Sequence, residues 1–416
     1  MRFDELIKGG RLIDPASGRD GRWDLGIKRD RIAAIDVDIP SDSAFHVIDA
    51  ADKLVTPGLV DLHTHVFHGV GYWGIDADST AAASGVTTWI DAGSAGALTL
   101  AGLRRYVMDQ AAVRIFALLN VSYLGLIGPD FELAREEFCD PAILERVVRA
   151  NRDCIVGLKV RMGSPTVGPY GLEPMKMAAQ AATVCDLPLM VHIAESPPDV
   201  DGVLDLMRPG DILTHCFTGT SMRIVDDDGQ PRDAALRARD RGVIMDIGHG
   251  VGSFTFRTAE ALLSAGFPPD VISTDIHQLS IGGPMYDLPT CMTKFLALGM
   301  SVEEVVRATT TRPAGVIGLE RAGTLTPGSS ADVAIFELMD GDFPLYDIEG
   351  EVRFGRQAFR HVATIIRGRE MQQRPLPPPA PWAQSGHIWP SRQAELLAQG
   401  LSNREASGVA KELECL

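Results

Sequence analysis

Short apolar runs alternate with stretches compatible with helices along most of the chain. The apolar runs that we interpret as strands cover residues 59–65, 86–91, 114–123, 155–161, 187–194, 211–216, 243–247 and 271–276. Amphipathic stretches between them include residues 141–152, 174–185 and 257–265. Strands that alternate with helices are typical of βαβ units, and eight of them predict a closed (β/α)8 barrel, with a doubly wound open sheet as the alternative.

The two flanks of this region have a different pattern. Residues 1–55 consist of short β-rich runs separated by turn signals, and residues 321–371 return to the same pattern. We therefore predict an α/β protein with two parts, a barrel over residues 56–320 and a small β-sandwich module built from both chain termini.

Residues 372–416 form a third segment. Prolines crowd its beginning, from Pro375 to Pro381, which predicts a stiff linker with polyproline II character. The spacing of leucines after Ser391 predicts an amphipathic C-terminal helix, which could dock on a neighbouring subunit or on its own barrel. We expect a homo-oligomer.

Composition narrows the classes of function. The 416 residues carry a net charge of −16, with 45% hydrophobic and 23% charged residues, which is the balance of a soluble globular protein. This charge argues against nucleic-acid and anionic-membrane partners. No secretory signal and no membrane-spanning run is visible, and six scattered cysteines indicate reduced thiols, so we predict a cytoplasmic protein.

The first predicted strand ends in Asp61-Leu62-His63-Thr64-His65. Side chains at positions i and i+2 of a strand point to the same side, so His63 and His65 can converge on one metal ion. Taken alone, this pair fits two surface histidines in a loop equally well.

Four further strands end in, or carry near their ends, residues that can bind metal or transfer protons. They are Lys159, His192, His215 and Asp275. In a barrel, the carboxyl ends of the strands surround one cavity, so the sequence predicts that these side chains and the histidine pair meet there.

On these residues, the chain from residue 1 to about 371 resembles the amidohydrolase superfamily. The ordered set of His-x-His, Lys, His, His and Asp is the signature of its two-metal branch. The resemblance implies two divalent ions, the more buried held by His63, His65 and Asp275 and the more exposed by His192 and His215.

The resemblance also implies that Lys159 bridges both ions as a carbamate, formed from its amine and CO2. Two dications would repel an ammonium, whereas a carbamate is anionic and offers two oxygens. An ordinary salt-bridge lysine is the alternative, although an unpaired ammonium on an apolar strand is costly.

The ligand types indicate the chemistry. Imidazole and carboxylate suit zinc, with manganese, cobalt or iron as other candidates. Water that bridges two dications loses a proton near neutral pH and becomes a nucleophile, and Asp275 can take that proton and pass it to the leaving group. The predicted reaction is hydrolysis of an amide or ester.

Within the superfamily, residues 157–162 and 283–290 resemble a dihydroorotase-like amidohydrolase/deacetylase group. That resemblance implies removal of an acyl group, in the first place acetyl, from an N-acylated amino acid or an O-acylated hydroxy acid. Opening of a cyclic amide, as in dihydroorotases, is the near alternative.

Two residues are candidates for substrate binding. Arg161 lies two positions beyond Lys159 and could clamp a substrate carboxylate, or else pair with a protein carboxylate. His277 lies two positions beyond Asp275 and could contact substrate or orient that aspartate. Tyr123 and His249 also lie near the carboxyl ends of the predicted strands, and we expect a structural role for both.

Two other classes of function remain open. His192 and Glu195 have the His-x-x-Glu spacing of single-metal purine or pyrimidine deaminases in the same superfamily, in which the Glu transfers protons. Those enzymes need no bridging lysine, so Lys159 discriminates between the two. A non-enzymatic scaffold is the third reading, and the full set of ligands argues against it.

Overall fold

The computed structural model of the chain describes residues 2–164, 166–319 and 321–378. The predicted C-terminal helix after Ser391 lies outside the described residues. No helix in the described part of the chain is long and apolar enough to cross a membrane.

The N-terminal region consists of short strands joined by tight turns. They are β1 (Phe3–Lys8), β2 (Arg11–Asp14), β3 (Arg19–Arg22), β4 (Asp24–Lys28), β5 (Arg31–Asp36), β6 (Ala44–Asp49) and β7 (Leu54–Pro57). Four of them form one sheet in the order β5-β4-β1-β6. The others join a sheet that the C-terminal part of the chain completes.

The centre of the molecule is a parallel sheet of seven strands. They are β8 (Leu59–Thr64), β9 (Val86–Gly96), β10 (Arg114–Asn120), β11 (Ile155–Met162), β12 (Leu189–Ile193), β13 (Ile212–Thr214) and β14 (Ile244–Asp246), each paired with the next in the chain. Every residue of β8 and β9 is buried, because both faces of the sheet are covered. The predicted α/β class with a parallel sheet is thus confirmed.

Helices follow the strands of this sheet. They are α1 (Ala77–Ser84), α2 (Leu100–Leu103), α3 (Pro141–Ala150), α4 (Glu173–Cys185), α5 (Val200–Leu206), α6 (Asp233–Asp240), α7 (Phe256–Ser264), α8 (Leu288–Ala297), α9 (Val302–Thr309) and α10 (Thr311–Val316). Several begin at side-chain caps: Asp140 accepts hydrogen bonds from two amides of α3, and Ser301 opens α9 with a capping box.

The eighth predicted strand, residues 271–276, is not a regular strand. Val271 forms an isolated parallel bridge with Asp246 of β14, and Ile276 forms one with Thr64 of β8. The segment therefore lies between the two edges of the parallel sheet. Asp275 has a positive φ of 50°, outside the extended region, which explains why regular pairing stops there.

The chain then returns to the N-terminal strands. The strands β15 (Val333–Tyr346), β16 (Val352–Ile366) and β17 (Arg369–Glu370) complete a sheet with the order β17-β16-β15-β7-β2-β3. One apolar cluster joins this sheet to the N-terminal one, with Leu25 and Ile27 on one side and Ile335 and Ile365 on the other. The far half of the β15–β16 hairpin packs against α8, where the Phe359 amide donates to Thr293 Oγ1 at 3.1 Å.

Candidate active site

The six predicted ligands lie at one end of the parallel sheet. His63 is in β8, and His65 is one residue beyond it; Lys159 and His192 are in β11 and β12. His215 follows β13, and Asp275 lies in the segment between the sheet edges. The common position follows from parallel pairing, because the carboxyl ends of parallel strands all lie on the same side of the sheet.

Three of these side chains form a compact group. Asp275 Oδ1 lies 3.3 Å from His63 Nε2 and 3.1 Å from His65 Nε2. One nitrogen of each imidazole and one oxygen of the carboxylate all lie within 4.8 Å of one another. This set of nitrogen and oxygen donors suits a divalent ion such as zinc.

A second pair lies beside this group. His192 Nδ1 and His215 Nε2 face each other at 2.7 Å, and the ring of His215 is 5.1 Å from that of His63 between centroids. His215 is fully buried and His192 half-buried, so the two groups differ in access from outside.

Lys159 lies against the first group. Its side chain is fully buried, and its Nζ is 3.2 Å from both His63 Nε2 and Met190 Sδ. Within the described chain it forms no ion pair with a carboxylate. Gly93 makes room for it, because a Cβ there would come within 2.7 Å of the Lys159 side chain. Burial lowers the pKa of Lys159 to about 7, so this place disfavours an ammonium.

The histidines are held in the neutral form that binds metal. Burial lowers the pKa of His65 to about 3 and of His215 to about 4, and it lowers the pKa of His63 and His192 well below the usual range. A neutral imidazole has a lone pair to give to a metal ion, whereas an imidazolium has none.

The outer nitrogens of three imidazoles are fixed by protein oxygens. Nδ1 of His63 bonds to Thr214 Oγ1 at 2.7 Å, and Nδ1 of His65 bonds to Ser94 Oγ at 2.9 Å. Nδ1 of His215 donates to Gly248 O at 2.6 Å. These contacts leave Nε2 of each ring for the centre and set its orientation, as is usual for metal-bound histidines.

Arg161 is buried beside the centre, and its guanidinium pairs with a protein carboxylate. Its Nε and Nη2 donate to the two oxygens of Glu132, each at 2.6 Å, and Nη2 also donates to Pro129 O at 3.0 Å. This contact matches the alternative stated for Arg161. Glu132 lies in the loop after β10, where no strand pattern marks it, so its contact with Arg161 could not be predicted from the sequence.

His277 lies at the rim, with its ring centroid 6.2 Å from that of His65. Its Nδ1 accepts from the amides of Leu279 and Ser280 at 3.2 and 3.3 Å. The indole of Trp73 packs edge-on against it at 4.8 Å between centroids. These contacts fix the ring of His277 beside the centre. Among the described residues, its ring makes no hydrogen bond with Asp275 Oδ1.

Glu195 is exposed, and its Oε2 accepts from Ser221 Oγ at 2.5 Å. Tyr123 packs on Phe138, with 5.8 Å between ring centroids, and is a structural residue of the rim. The structure therefore gives no support to a proton-transferring role for Glu195.

Two buried aspartates close to the centre were not singled out from the sequence. Asp61 accepts from Thr274 Oγ1 at 2.6 Å and from the Thr274 amide at 3.1 Å, and so ties β8 to the segment before Asp275. Asp246, at the end of β14, has Oδ2 3.9 Å from His63 Nδ1. The available signals were a carboxylate within a buried strand for Asp61 and a carboxylate at a strand end for Asp246.

Comparisons with known proteins identify the family. Residues 54–208 and 212–371 match the profile described as "Amidohydrolase family". A deacetylase of Agrobacterium fabrum is 38% identical over 339 residues, which is 81% of this chain and 83% of the relative. A deacetylase of Brucella anthropi is 37% identical over 351 residues, or 83% of this chain and 87% of the relative.

Two solved structures are similar to this chain in both fold and sequence. One described as an adenine deaminase has a TM-score of 0.83 and 35% identity, over 88% of this chain and 99% of that one. Another, described as a dihydroorotase, has a TM-score of 0.82 and 35% identity, over 89% and 98%. With the profile matching most of its length, the chain belongs to the amidohydrolase family of hydrolases.

Proposed function

We propose that the protein is a two-metal hydrolase that removes an acetyl or similar acyl group from an N-acylated amino acid or an O-acylated hydroxy acid. The observation that carries the proposal is the convergence of four neutral imidazoles, Asp275 and the buried Lys159 at one edge of the sheet. The names of the two deacetylase relatives support the reaction class.

The donor set fits two divalent ions, in the first place zinc. His63, His65 and Asp275 would hold one, and His192 and His215 the other. Lys159, carboxylated by CO2, would contribute an anionic ligand to both, which agrees with a place where an ammonium is disfavoured. When bound, the ions supply Lewis acidity toward the scissile carbonyl and acidify water near neutral pH.

Asp275 is the residue that we assign to proton transfer. Its Oδ1 faces the imidazoles of His63 and His65. The Asp275 side chain is 13% exposed, so the carboxylate can exchange a proton with a molecule in the cavity. It would take the proton of the attacking water and deliver it to the leaving nitrogen or oxygen.

Arg161 and His277 are our proposed substrate contacts. Arg161 could serve a substrate carboxylate by sharing its guanidinium with Glu132. Arg161→Lys, which loses the bidentate fork, should then raise KM for an N-acetyl amino acid more than for the corresponding N-acetyl amide. An equal rise for both would show that Arg161 only anchors the loop that carries Glu132.

We further propose that the parallel sheet closes into a (β/α)8 barrel over residues 56–320, flanked by a β-sandwich of residues 1–55 and 321–371. Side chains from β8, β9, β10, β12, β13 and Val271 form one interior cluster, which supports closure. The five described cysteines are free thiols, which supports a cytoplasmic location. A homo-oligomer stays a prediction.

The decisive experiment combines metal analysis with a substrate panel of N-acetyl amino acids, O-acetyl hydroxy acids, cyclic amides and adenine. We expect about two zinc ions per chain and release of acetate. Ring-opening of a cyclic amide is the second candidate, favoured by the dihydroorotase neighbour. One metal per chain with release of ammonia from adenine would contradict the proposal.

A further inference from the structure

A second buried lysine, Lys294 of α8, lies near the candidate active site and has no part in the chemistry above. Its side chain is 1% exposed, and within the described chain it forms no ion pair with a carboxylate. The three N–H groups of its ammonium find three acceptors: Tyr346 O at 2.7 Å, Pro284 O at 2.9 Å and His249 Nε2 at 2.7 Å.

His249 connects this lysine to the centre. Because its Nε2 accepts from the ammonium, its ring proton is on Nδ1, which donates to Gly250 O at 2.9 Å. The ring stacks on Phe254 with 4.5 Å between centroids, and it is fully buried. His249 therefore has one orientation available and holds the backbone next to it.

That backbone touches ligands of both proposed ions. Gly248 O accepts from His215 Nδ1 at 2.6 Å, and the Gly250 amide donates to Thr274 O at 2.8 Å, immediately before Asp275. A Cβ at position 250 would lie 2.5 Å from Asp275 Oδ2. The fit is so close that a small shift of residues 248–250 must move His215 or Asp275.

We propose that Lys294 is a positioning residue of the metal centre, acting through His249 and the backbone of residues 248–250 on His215 and Asp275. The inference rests on the proposed two-metal function. The carbonyls of Pro284 and Tyr346 alone would tie α8 to the preceding loop and to β15, but they would leave one N–H of the buried ammonium unpaired, which is costly. The third bond goes to His249, and the backbone on either side of His249 contacts His215 and Thr274, which links the lysine to the centre.

The test compares Lys294→Met with Thr293→Val, a matched control on the same helix. Thr293 is also buried, and its hydroxyl joins α8 to β16 without reaching His249. Lys294→Met should weaken zinc binding, measured by competition with a chelator, about 10- to 100-fold, and lower kcat with little change in KM. Thr293→Val should lower the thermal stability and leave the zinc affinity within about twofold of wild type.

The double variant Lys294→Met/His249→Leu separates positioning from stability, and also serves if Lys294→Met alone fails to fold. Replacing His249 as well removes one of the three acceptors that Lys294→Met leaves without a donor, so part of the lost stability should return while zinc binding stays weak. Recovery of zinc affinity together with stability would overturn the inference, as would unchanged affinity in Lys294→Met. A wild-type protein that binds no zinc would instead overturn the proposed function itself.

Discussion

Two lysines are buried among the residues that the structure describes, and their surroundings differ in one decisive respect. Lys294 lies in α8, and each of the three N–H groups of its ammonium has an acceptor. Lys159, at the carboxyl end of the parallel sheet, has one imidazole nitrogen and one thioether sulfur within 3.2 Å. Neither forms an ion pair with a carboxylate in the described part of the chain.

The difference teaches what each place accepts. The surroundings of Lys294 are complete for an ammonium, because every proton of that group is used. Those of Lys159 are short of acceptors and full of metal-binding nitrogens, so they suit a lysine that has lost its positive charge. Burial alone therefore does not identify a functional lysine; the number and type of its acceptors do.

The largest expected effect comes from Lys159→Met. We expect kcat/KM to fall by at least about 1,000-fold, because two metal ions would supply several kcal/mol of transition-state stabilisation and this variant would remove the ligand that we propose they share. Metal analysis should show fewer than two ions per chain. Lys176→Met, at an exposed lysine that pairs with Glu173, is the control and should keep wild-type activity. Full activity of Lys159→Met would remove the distinction between the two lysines.

A second prediction concerns the free energy of unfolding of the metal-free protein. Lys294→Met leaves two buried acceptors and one partly buried acceptor without donors and should cost about 3 kcal/mol. Lys159→Met replaces a poorly solvated amine by an apolar group of similar size and should change stability by less than about 1 kcal/mol. Urea titrations of both variants measure this, and equal losses would contradict the comparison.

His361 of β16 tests whether burial of a basic group away from the centre affects stability alone. Burial lowers the pKa of His361 to about 4, whereas an unfolded chain keeps a pKa near 6.5. As the pH falls below 6.5, only the unfolded state takes up this proton, so the folded state loses about 1 kcal/mol by pH 5.5. His361→Phe should remove this part of the acid sensitivity in thermal denaturation and leave zinc affinity as in wild type.

The smallest expected effect is at a partly exposed ion pair between α7 and β16. Glu260 of α7 accepts from Arg353 Nε and Nη2 at 2.5 and 2.9 Å, and these bonds lower the pKa of the carboxyl group. Glu260→Gln should cost less than about 1 kcal/mol, because both side chains are partly solvated. The difference from wild type should disappear once acid protonates Glu260. A loss as large as that of Lys294→Met would be the contrary result.

The sequence was informative where a local pattern determines position. Alternating apolar runs predicted the parallel strands, and the helix predicted over residues 141–152 is observed as Pro141–Ala150. Parallel pairing then brings the carboxyl ends of the strands together, so side chains such as those of His192 and His215 could be predicted to meet without knowledge of any loop.

What the sequence could not predict depends on contacts between distant segments. Glu132 reaches Arg161 from a loop, and Lys294 reaches His249 from a helix, with no periodicity to mark either pair. The short runs expected over residues 321–371 are observed as two long strands, β15 and β16, and the outer half of this hairpin packs on α8. Residues 271–276 were predicted as a regular strand, but the positive φ of Asp275 interrupts the extended backbone there.

One consequence concerns the order in which the chain is made. The strand β8, which carries His63, follows β7 after the single residue Gly58, and β7 pairs with β15 through Thr56 and Ala334. A ribosome must therefore synthesise the whole parallel sheet, which ends with β14 at Asp246, before β15 exists to pair with β7. A chain interrupted before residue 333 leaves β7 without that neighbour, as an open edge that invites aggregation. The histidine-bearing strand gains this anchor only after the whole parallel sheet has been made.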